Sequence, residues 1–249
     1  MGKEIEKQIS ETEGKGMLDT KLMADNFINI AAFLPVTIKL TIGALLIAFP
    51  VSFLFAFTQL KRIPIVSQLV RLYLSIIRGT PVLLQMFTVY ALIPFWLNDL
   101  LTAMGKDIDI YDVDPIWYAY FAISLSATAF LTEAIRSAIL SIDEGQKEAG
   151  YMVGMSKWQV YREIIIPQAM AVALPIFGNV IVDVIKSTSL AFTMSVTEVM
   201  GRAKIIGGMT TKYLEMYIDA FFVYVIFIVL VELVIKRVEK SVTKYRKVH

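Results

Sequence analysis

Five apolar runs, each long enough for a helix to cross a bilayer, constrain this chain more than any other feature of its sequence. A bilayer core is matched by roughly 20 residues of helix. The runs are residues 33–57, residues 68–96 rising through Pro81, residues 116–140, residues 164–185 interrupted by Pro167 and Pro175, and residues 216–235. A segment in lipid must satisfy its own backbone hydrogen bonds, so all five are predicted to be helices. Hydrophobic residues make up 57% of the chain and mean hydropathy is +0.64, against roughly 45–50% apolar residues in ordinary soluble domains. The expected fold is an all-α integral membrane protein with one membrane domain, residues 33–237. Pro35, Pro50, Pro81 and Pro94 are expected to kink helices, and breaks buried in protein also create cavities.

Residues 1–32 are polar and mixed in charge, without the apolar core of a cleaved signal peptide. Residues 1–16 are expected to form an unstructured tail. Met17, Leu18, Leu22, Met23, Phe27, Ile28 and Ile30 suit a short amphipathic helix at the membrane interface.

Five spans put the termini on opposite sides, and Lys and Arg favour short cytoplasmic segments. Residues 58–78 carry Lys61, Arg62, Arg71 and Arg78 with no acid. Residues 141–163 carry Lys147, Lys157 and Arg162, and the tail carries Lys236, Arg237, Lys240, Lys244, Arg246 and Lys247. These three segments alternate correctly to share one side. The loop at 99–114 sets Asp99, Asp107, Asp109, Asp112 and Asp114 against one Lys. The N-terminus is therefore expected outside, with the basic tail at 238–249 in the cytoplasm. Lys186, Arg202, Lys204 and Lys212 fall on the outer side, so part of the 186–213 connection is expected to re-enter the membrane.

Several chemistries are excluded. There is no cysteine, and the one histidine is His249 at the chain end, so neither a zinc site nor a His-based triad can be built. None of the thirteen glycines belongs to a G-x-x-x-x-G-K-[ST] phosphate loop, and there is no G-x-S-x-G.

The segment at 141–169, SIDEGQKEAGYMVGMSKWQVYREIIIPQA, is polar and charged between two apolar runs. Ser141 and Glu144 have capping-box spacing and are expected to start a helix reaching about Met152. Gly154 suits the left-handed residue past a helix end. Ser156 and Gln159 form a second capping box that opens the next helix. The predicted unit, 141–163, is helix, tight turn, helix. Ala149 and Gly150 give it a small-residue surface, and Glu144, Gln146, Lys147 and Glu148 surround that surface with polar groups. A solvated hairpin with no partner is the plainer alternative.

Glu148-Ala149-Gly150, three residues, Gly154, nine residues and then Ile164-Ile165-Ile166-Pro167 resembles the EAA-loop signature of ABC importer permeases. Gly150 stands for the Ala at the third place of that signature and Ile166 for a Leu. Arg78-Gly79-Thr80-Pro81 with Gln85, then Glu133, Arg136, Gly145-Gln146 and Pro167-Gln168-Ala169, narrow the resemblance to the polar-amino-acid permeases. Lys186-Ser187-Thr188-Ser189-Leu190 is similar to that family's KDTSL element, with Ser187 for Asp. Residues 188–208 resemble the cystine-type branch. The resemblance covers roughly residues 33–237.

The resemblance implies a type I ABC importer permease in a prokaryotic cell membrane, a pore-forming subunit and not an enzyme. It implies a second permease chain, identical or similar, and two cytoplasmic ATPase subunits that bind ATP and Mg, this chain holding no cofactor. It also implies an extracytoplasmic substrate-binding protein. ATPase closure would drive the loops together and rock the permeases between outward and inward states. Glu144, Glu148, Ala149, Gly150 and Gly154 are then the ATPase-docking candidates.

Ionisable residues within spans are costly and usually face the bundle interior or a cavity. Arg78, Glu133, Arg136, Asp183 and Lys186 qualify. Glu133 and Arg136 are three apart on one helix face, as a structural ion pair or as path residues, and Arg78 is placed to snorkel. A zwitterionic amino acid needs an anion for its amine and a donor for its carboxylate. Asp183 and Lys186 fit that need, or pair with each other. Asp183 stands where the family pattern is usually apolar. Gln85, Thr88, Asn179, Thr188 and Ser189 complete the substrate-path candidates, each with a helix–helix hydrogen bond as its structural alternative. Two other functions stay open at this point: a stand-alone ion-coupled carrier using Glu133 and Asp183 as proton relays, and a membrane scaffold subunit.

Overall fold

The computed structural model describes residues 18–105 and 113–243. The tail at 1–16 with Met17, the acids Asp107, Asp109 and Asp112, and the basic residues Lys244, Arg246 and Lys247 lie outside the described residues, as does His249. Among the described residues there are helices and no strand. In chain order they are α1 (Thr20–Ala31), α2 (Leu34–Lys61), α3 (Val66–Gly79), α4 (Val82–Ala103), α5 (Ile116–Leu140) and α6 (Glu144–Met152). Then come α7 (Lys157–Thr188), α8 (Val199–Thr210) and α9 (Tyr213–Thr243). Five segments are long and apolar enough to cross a membrane: Thr20–Lys61, Val82–Ala103, Ile116–Leu140, Lys157–Thr188 and Tyr213–Val242.

The centre of the bundle is α5. Ala119, Ala122, Ala127, Ala129, Ala134 and Ala138 keep it thin and are almost wholly buried. Small side chains let backbones approach where lipid offers no hydrophobic drive to pack. Accordingly α5 packs on α2, α4, α7 and α3. Phe49 of α2 meets Phe177 of α7 edge to face at 5.5 Å, and Tyr90 of α4 meets Tyr118 of α5 at 6.1 Å. A second, smaller core joins α1, α8 and the start of α9 around Ile30, Val199, Ala203, Met216 and Ala220. A helix is present near the N-terminus as α1, with Ile30 buried against protein.

Three span expectations are corrected. The second run is not one continuous helix. It ends as α3 at Gly79, passes through extended Thr80 (φ −115, ψ 142) and Pro81 (φ −60, ψ 135), and restarts as α4. Proline disfavours the helical region for the residue before it, and Thr80 obeys. The fourth run is not interrupted by Pro167 or Pro175. It starts earlier, at Lys157, with a π-helical turn over Val160–Ile165, after which Pro167 occupies the first turn of the following α-helical stretch. Pro175 sits inside a helix that continues to Thr188. Proline is tolerated in a membrane helix where neighbours relieve the lost bond. The last helix also exceeds the 216–235 run, reaching from Tyr213 to Thr243, so residues 238–243 continue the helix.

The connection after α7 folds back onto the bundle. A 3-10 turn, Ala191–Met194, puts Ala191 and Met194 at 0% exposure in the main core. Arg202 lies over the Phe33 ring at 5.2 Å and Lys204 over the Phe192 ring at 4.3 Å. Those two basic groups are thus held by aromatic faces.

Candidate functional site

The hairpin at 141–163 is built largely as its sequence dictates. Gly154 has φ +82, and its N–H donates to Tyr151 O while Met155 N–H donates to Gly150 O. The Ser156–Gln159 capping box is closed in both directions, at 2.8 and 3.4 Å. The first cap differs from expectation. Ser141 belongs to the end of α5, where its hydroxyl donates to Ala138 O at 2.8 Å. Asp143 caps α6 instead, its carboxylate accepting from Gly145 N–H at 2.6 Å. Asp is at least as good a cap as Ser, and it stands one residue before the helix proper.

Glu144, Glu148 and Ala149 are exposed on α6, and Gly154 is exposed at the turn. Lys147 pairs with Glu144 at 2.6 Å, and this hydrogen bond holds its ammonium above the ordinary lysine value. Gly150 is buried. A Cβ there would come within 2.9 Å of Val160 Cγ2 and 3.0 Å of Ile164 Cδ1. Its smallness lets α6 lie directly on the start of α7 and stiffens the hairpin. The tip carries what sequence reasoning overlooked: Met152 at 87%, Val153 at 77% and Trp158 at 68% exposure. Three bare apolar side chains around a tight polar turn make an adhesive knob. The signal was in the sequence, since these are large apolar residues in a segment already read as lying in water.

The path candidates fall into separate groups. Arg136 grips Glu133 with two donors, at 2.8 and 3.2 Å. Arg78 sits over the ring of Phe130, three residues before Glu133 on α5, at 5.9 Å. This cluster joins the end of α3 to α5. Gln85 is nearly buried, and its amide donates to Ile77 O at 2.7 Å and to Thr80 O at 2.9 Å. The amide bridges the break between α3 and α4. Gln85 Oε1 is buried without a hydrogen-bond partner among the described residues. Thr88 is exposed and bonded to its own helix through Leu84 O.

On α7, Asn179, Asp183 and Lys186 are all exposed and recur at near-helical spacing on one face. Asp183 and Lys186 pair at 3.3 Å. Ser189 bonds back to Lys186 O at 2.7 Å, while Thr188 is buried and bonded to Ile185 O. Beside this face a groove of about 260 Å³ runs between α7 and α9, lined by Asn179, Glu232, Lys236 and Glu239 among others. The structure does not bring the Asp183–Lys186 pair into contact with the Glu133 cluster; they are separate ion pairs on different helices.

Buried acids were also missed, Glu198 and Asp219 among them. Glu198 is 0% exposed and caps α8, accepting from Met200 N–H at 3.0 Å and Gly201 N–H at 2.8 Å. It also accepts from the Tyr224 hydroxyl of α9. Tyr224 Oη lies 3.5 Å from Thr188 Oγ1, so α7, α8 and α9 meet in one polar knot. Asp219 is 3% exposed, and its Oδ2 has no hydrogen-bond partner among the described residues. Both acids could have been flagged as carboxylates in or beside an apolar run.

Residues 48–244 match the protein family described as binding-protein-dependent transport system inner membrane component. The L-cystine transport system permease protein TcyL of Bacillus subtilis (strain 168) is 36% identical over 226 residues, 91% of this chain and 92% of that protein. The nopaline transport system permease protein NocM of Agrobacterium fabrum (strain C58 / ATCC 33970) is 36% identical over 216 residues, 85% and 88% of the two chains. A crystal structure of an amino acid ABC transporter with histidines superposes with a TM-score of 0.76 at 25% identity, covering 91% of this chain and 100% of that one.

Proposed function

This chain belongs to the family of binding-protein-dependent transport system inner membrane components, and we propose that it forms part of the translocation path for a polar amino acid, driven by ATPase subunits that dock on its hairpin. It is a multi-pass transport component and not an enzyme. Its partners are separate ATPase subunits and a substrate-binding protein. The relatives are permeases of amino-acid systems, which supports an amino acid as cargo. L-cystine is the favoured candidate on the TcyL likeness, with the nopaline permease at the same identity as its competitor.

The observation that carries the docking role is the hairpin itself. A left-handed glycine, a closed capping box and a buried Gly150 make it rigid, and Met152, Val153 and Trp158 stand bare at its tip. A rigid lever transmits force where a flexible linker would absorb it. Glu148 and Ala149 lie on the exposed side of α6 and complete the docking face with Glu144.

The polar face of α7 supports the path. A Lys and an Asp exposed on a spanning helix are expensive against lipid, so this face needs a water-filled cavity or another chain. A second permease chain, identical or similar, supplies that cover. Asn179, Asp183 and Lys186 then line the seam, with Asp183 set for a substrate amine and Lys186 for its carboxylate. Glu133 and Arg136 steady α5 above the hairpin. With this topology the N-terminus is outside and the hairpin and C-terminus are in the cytoplasm. The stand-alone ion-coupled carrier is not favoured, because the family works as a component of a larger system.

The test is copurification. Tagged wild-type chain expressed with its ATPase should retain that subunit. Glu148→Lys should lose it while the permease stays folded in the membrane. Retention of the ATPase by both Glu148→Lys and Trp158→Asp would reject the docking face.

A further inference from the structure

We propose that a groove at the root of the hairpin holds an acyl chain of an anionic phospholipid, whose phosphate meets Lys61 and Arg162. The groove has a volume of about 350 Å³ and lies between the last turns of α2, the last turns of α5 and the middle of α7. Every residue that lines it is apolar. Ala56, Ala138 and Ala173 hollow it out, and Phe57 and Phe177 wall it. Along α7 it reaches from Ile166 to Phe177, about 16 Å at the rise of an α-helix. All three walls are membrane-spanning helices, and the lining offers no polar group to hold water, so the hollow suits an apolar occupant.

Basic residues flank the end of the groove nearest the hairpin. Lys61 follows Leu60, the last groove residue of α2, and its Nζ lies 5.7 Å from the centroid of the Phe57 ring. Arg62 comes next, and Arg162 precedes Ile166 by about a turn; all three are exposed. Glu163 is the acid on that stretch, so cations prevail at the mouth. A long Lys or Arg stem lies along apolar surface and leaves its head at the interface. An apolar slot below a cationic rim matches an anionic lipid, chain and headgroup together. A second copy of this chain fits worse. It would bring its own Lys61 and Arg62, or the Lys236, Arg237 and Lys240 of its α9, against a rim of the same sign.

The location gives the lipid a consequence. Ile139 and Ile166 line the groove, and they stand at the two roots of the hairpin. A chain seated there props α5 against α7 where the lever leaves the bundle.

The absence of cysteine makes the test direct. Met170→Cys in the groove, carrying a small bimane fluorophore, is placed in the complete transporter in nanodiscs. Brominated acyl chains are supplied on phosphatidylglycerol or on phosphatidylcholine. Brominated phosphatidylglycerol should quench at least about fivefold more effectively, the enrichment that a single basic residue gives near a surface. Lys61→Gln with Arg162→Gln should remove the difference. A label at Ile42→Cys, on the exposed face of the other half of α2, should be quenched equally by both lipids and reports an intact fold. Equal quenching at position 170 makes the groove ordinary lipid contact and overturns the proposal. Quenching at 42 with none at 170 places protein in the groove and also overturns it. A phosphatidylglycerol preference that survives the double substitution removes the assigned rim.

Discussion

Tyr224 of α9 donates its hydroxyl hydrogen to the carboxylate of Glu198, which is 0% exposed at the N-terminus of α8. The same carboxylate accepts from two backbone N–H groups, and Thr188 of α7 lies within 3.5 Å of the Tyr224 oxygen. A buried acid is costly unless its acceptors are filled, and here three donors fill them. The knot fixes the connection between α7 and α9, and with it the end of the polar α7 face.

Tyr224→Phe should therefore destabilise the protein by about 1–3 kcal/mol, the cost of leaving a buried acceptor short of a donor. Thermal unfolding of the purified complex measures it. Glu198→Ala, which uncaps α8 as well, should lower the transition further. A Tyr224→Phe protein with unchanged unfolding temperature would remove the knot as a stabilising element.

Gln85 spans the break between α3 and α4 with hydrogen bonds of 2.7 and 2.9 Å to Ile77 O and Thr80 O. Gln85→Glu replaces the donating amide with an acceptor that faces two carbonyls. It should destabilise by about 1–3 kcal/mol and reduce uptake while the protein still reaches the membrane. Gln85→Leu should be milder, because it also removes the unpartnered Oε1. Uptake in cells, normalised to permease content, gives the ranking; equal activity for all three residues would end the bridging role.

Gly154 has φ +82, which proline with its fixed negative φ cannot adopt. Gly154→Ala should cost the hairpin about 1–2 kcal/mol, and Gly154→Pro should uncouple it. Both are read as transport-linked ATPase activity in the reconstituted complex. Normal ATP-driven uptake by Gly154→Pro would sink the rigid-lever account.

Asp183→Leu should weaken substrate recognition about tenfold or more, as loss of a hydrogen bond to a charged group does. It should leave the fold intact, since Asp183 is exposed and its ion pair among the described residues is with Lys186, one turn away at 3.3 Å. Concentration dependence of uptake for several amino acids is the measurement. Unchanged affinity and unchanged selectivity would take Asp183 off the path.

Local chemistry settled much of this protein from the sequence alone. Apolar run length fixes the number of spanning helices, because every backbone group in lipid must be paired within its own helix. The hairpin was legible for the same reason: Gly154, Ser156 and Gln159 act on neighbours a few residues away. Where two local signals competed, sequence reading chose wrongly. Ser141 looked like a cap, but its hydroxyl closes the end of α5 and Asp143 caps α6. Pro81 looked like a kink and is a break, while Pro167 and Pro175 looked like breaks and lie in an unbroken α7.

Only the tertiary structure decided which groups meet. The bonds of the Gln85 amide to Ile77 O and Thr80 O, across the break between α3 and α4, could not be read from its place in the chain. Gly150 looked like an outward-facing surface until Val160 and Ile164 closed on it. Glu198 and Tyr224, 26 residues apart, give no sequence sign of their contact. Hydropathy and capping act along the chain and can be read from it. Burial, cross-helix hydrogen bonds and the exposed polar face of α7 depend on how helices rotate against one another, and packing around the alanine-rich α5 sets that rotation.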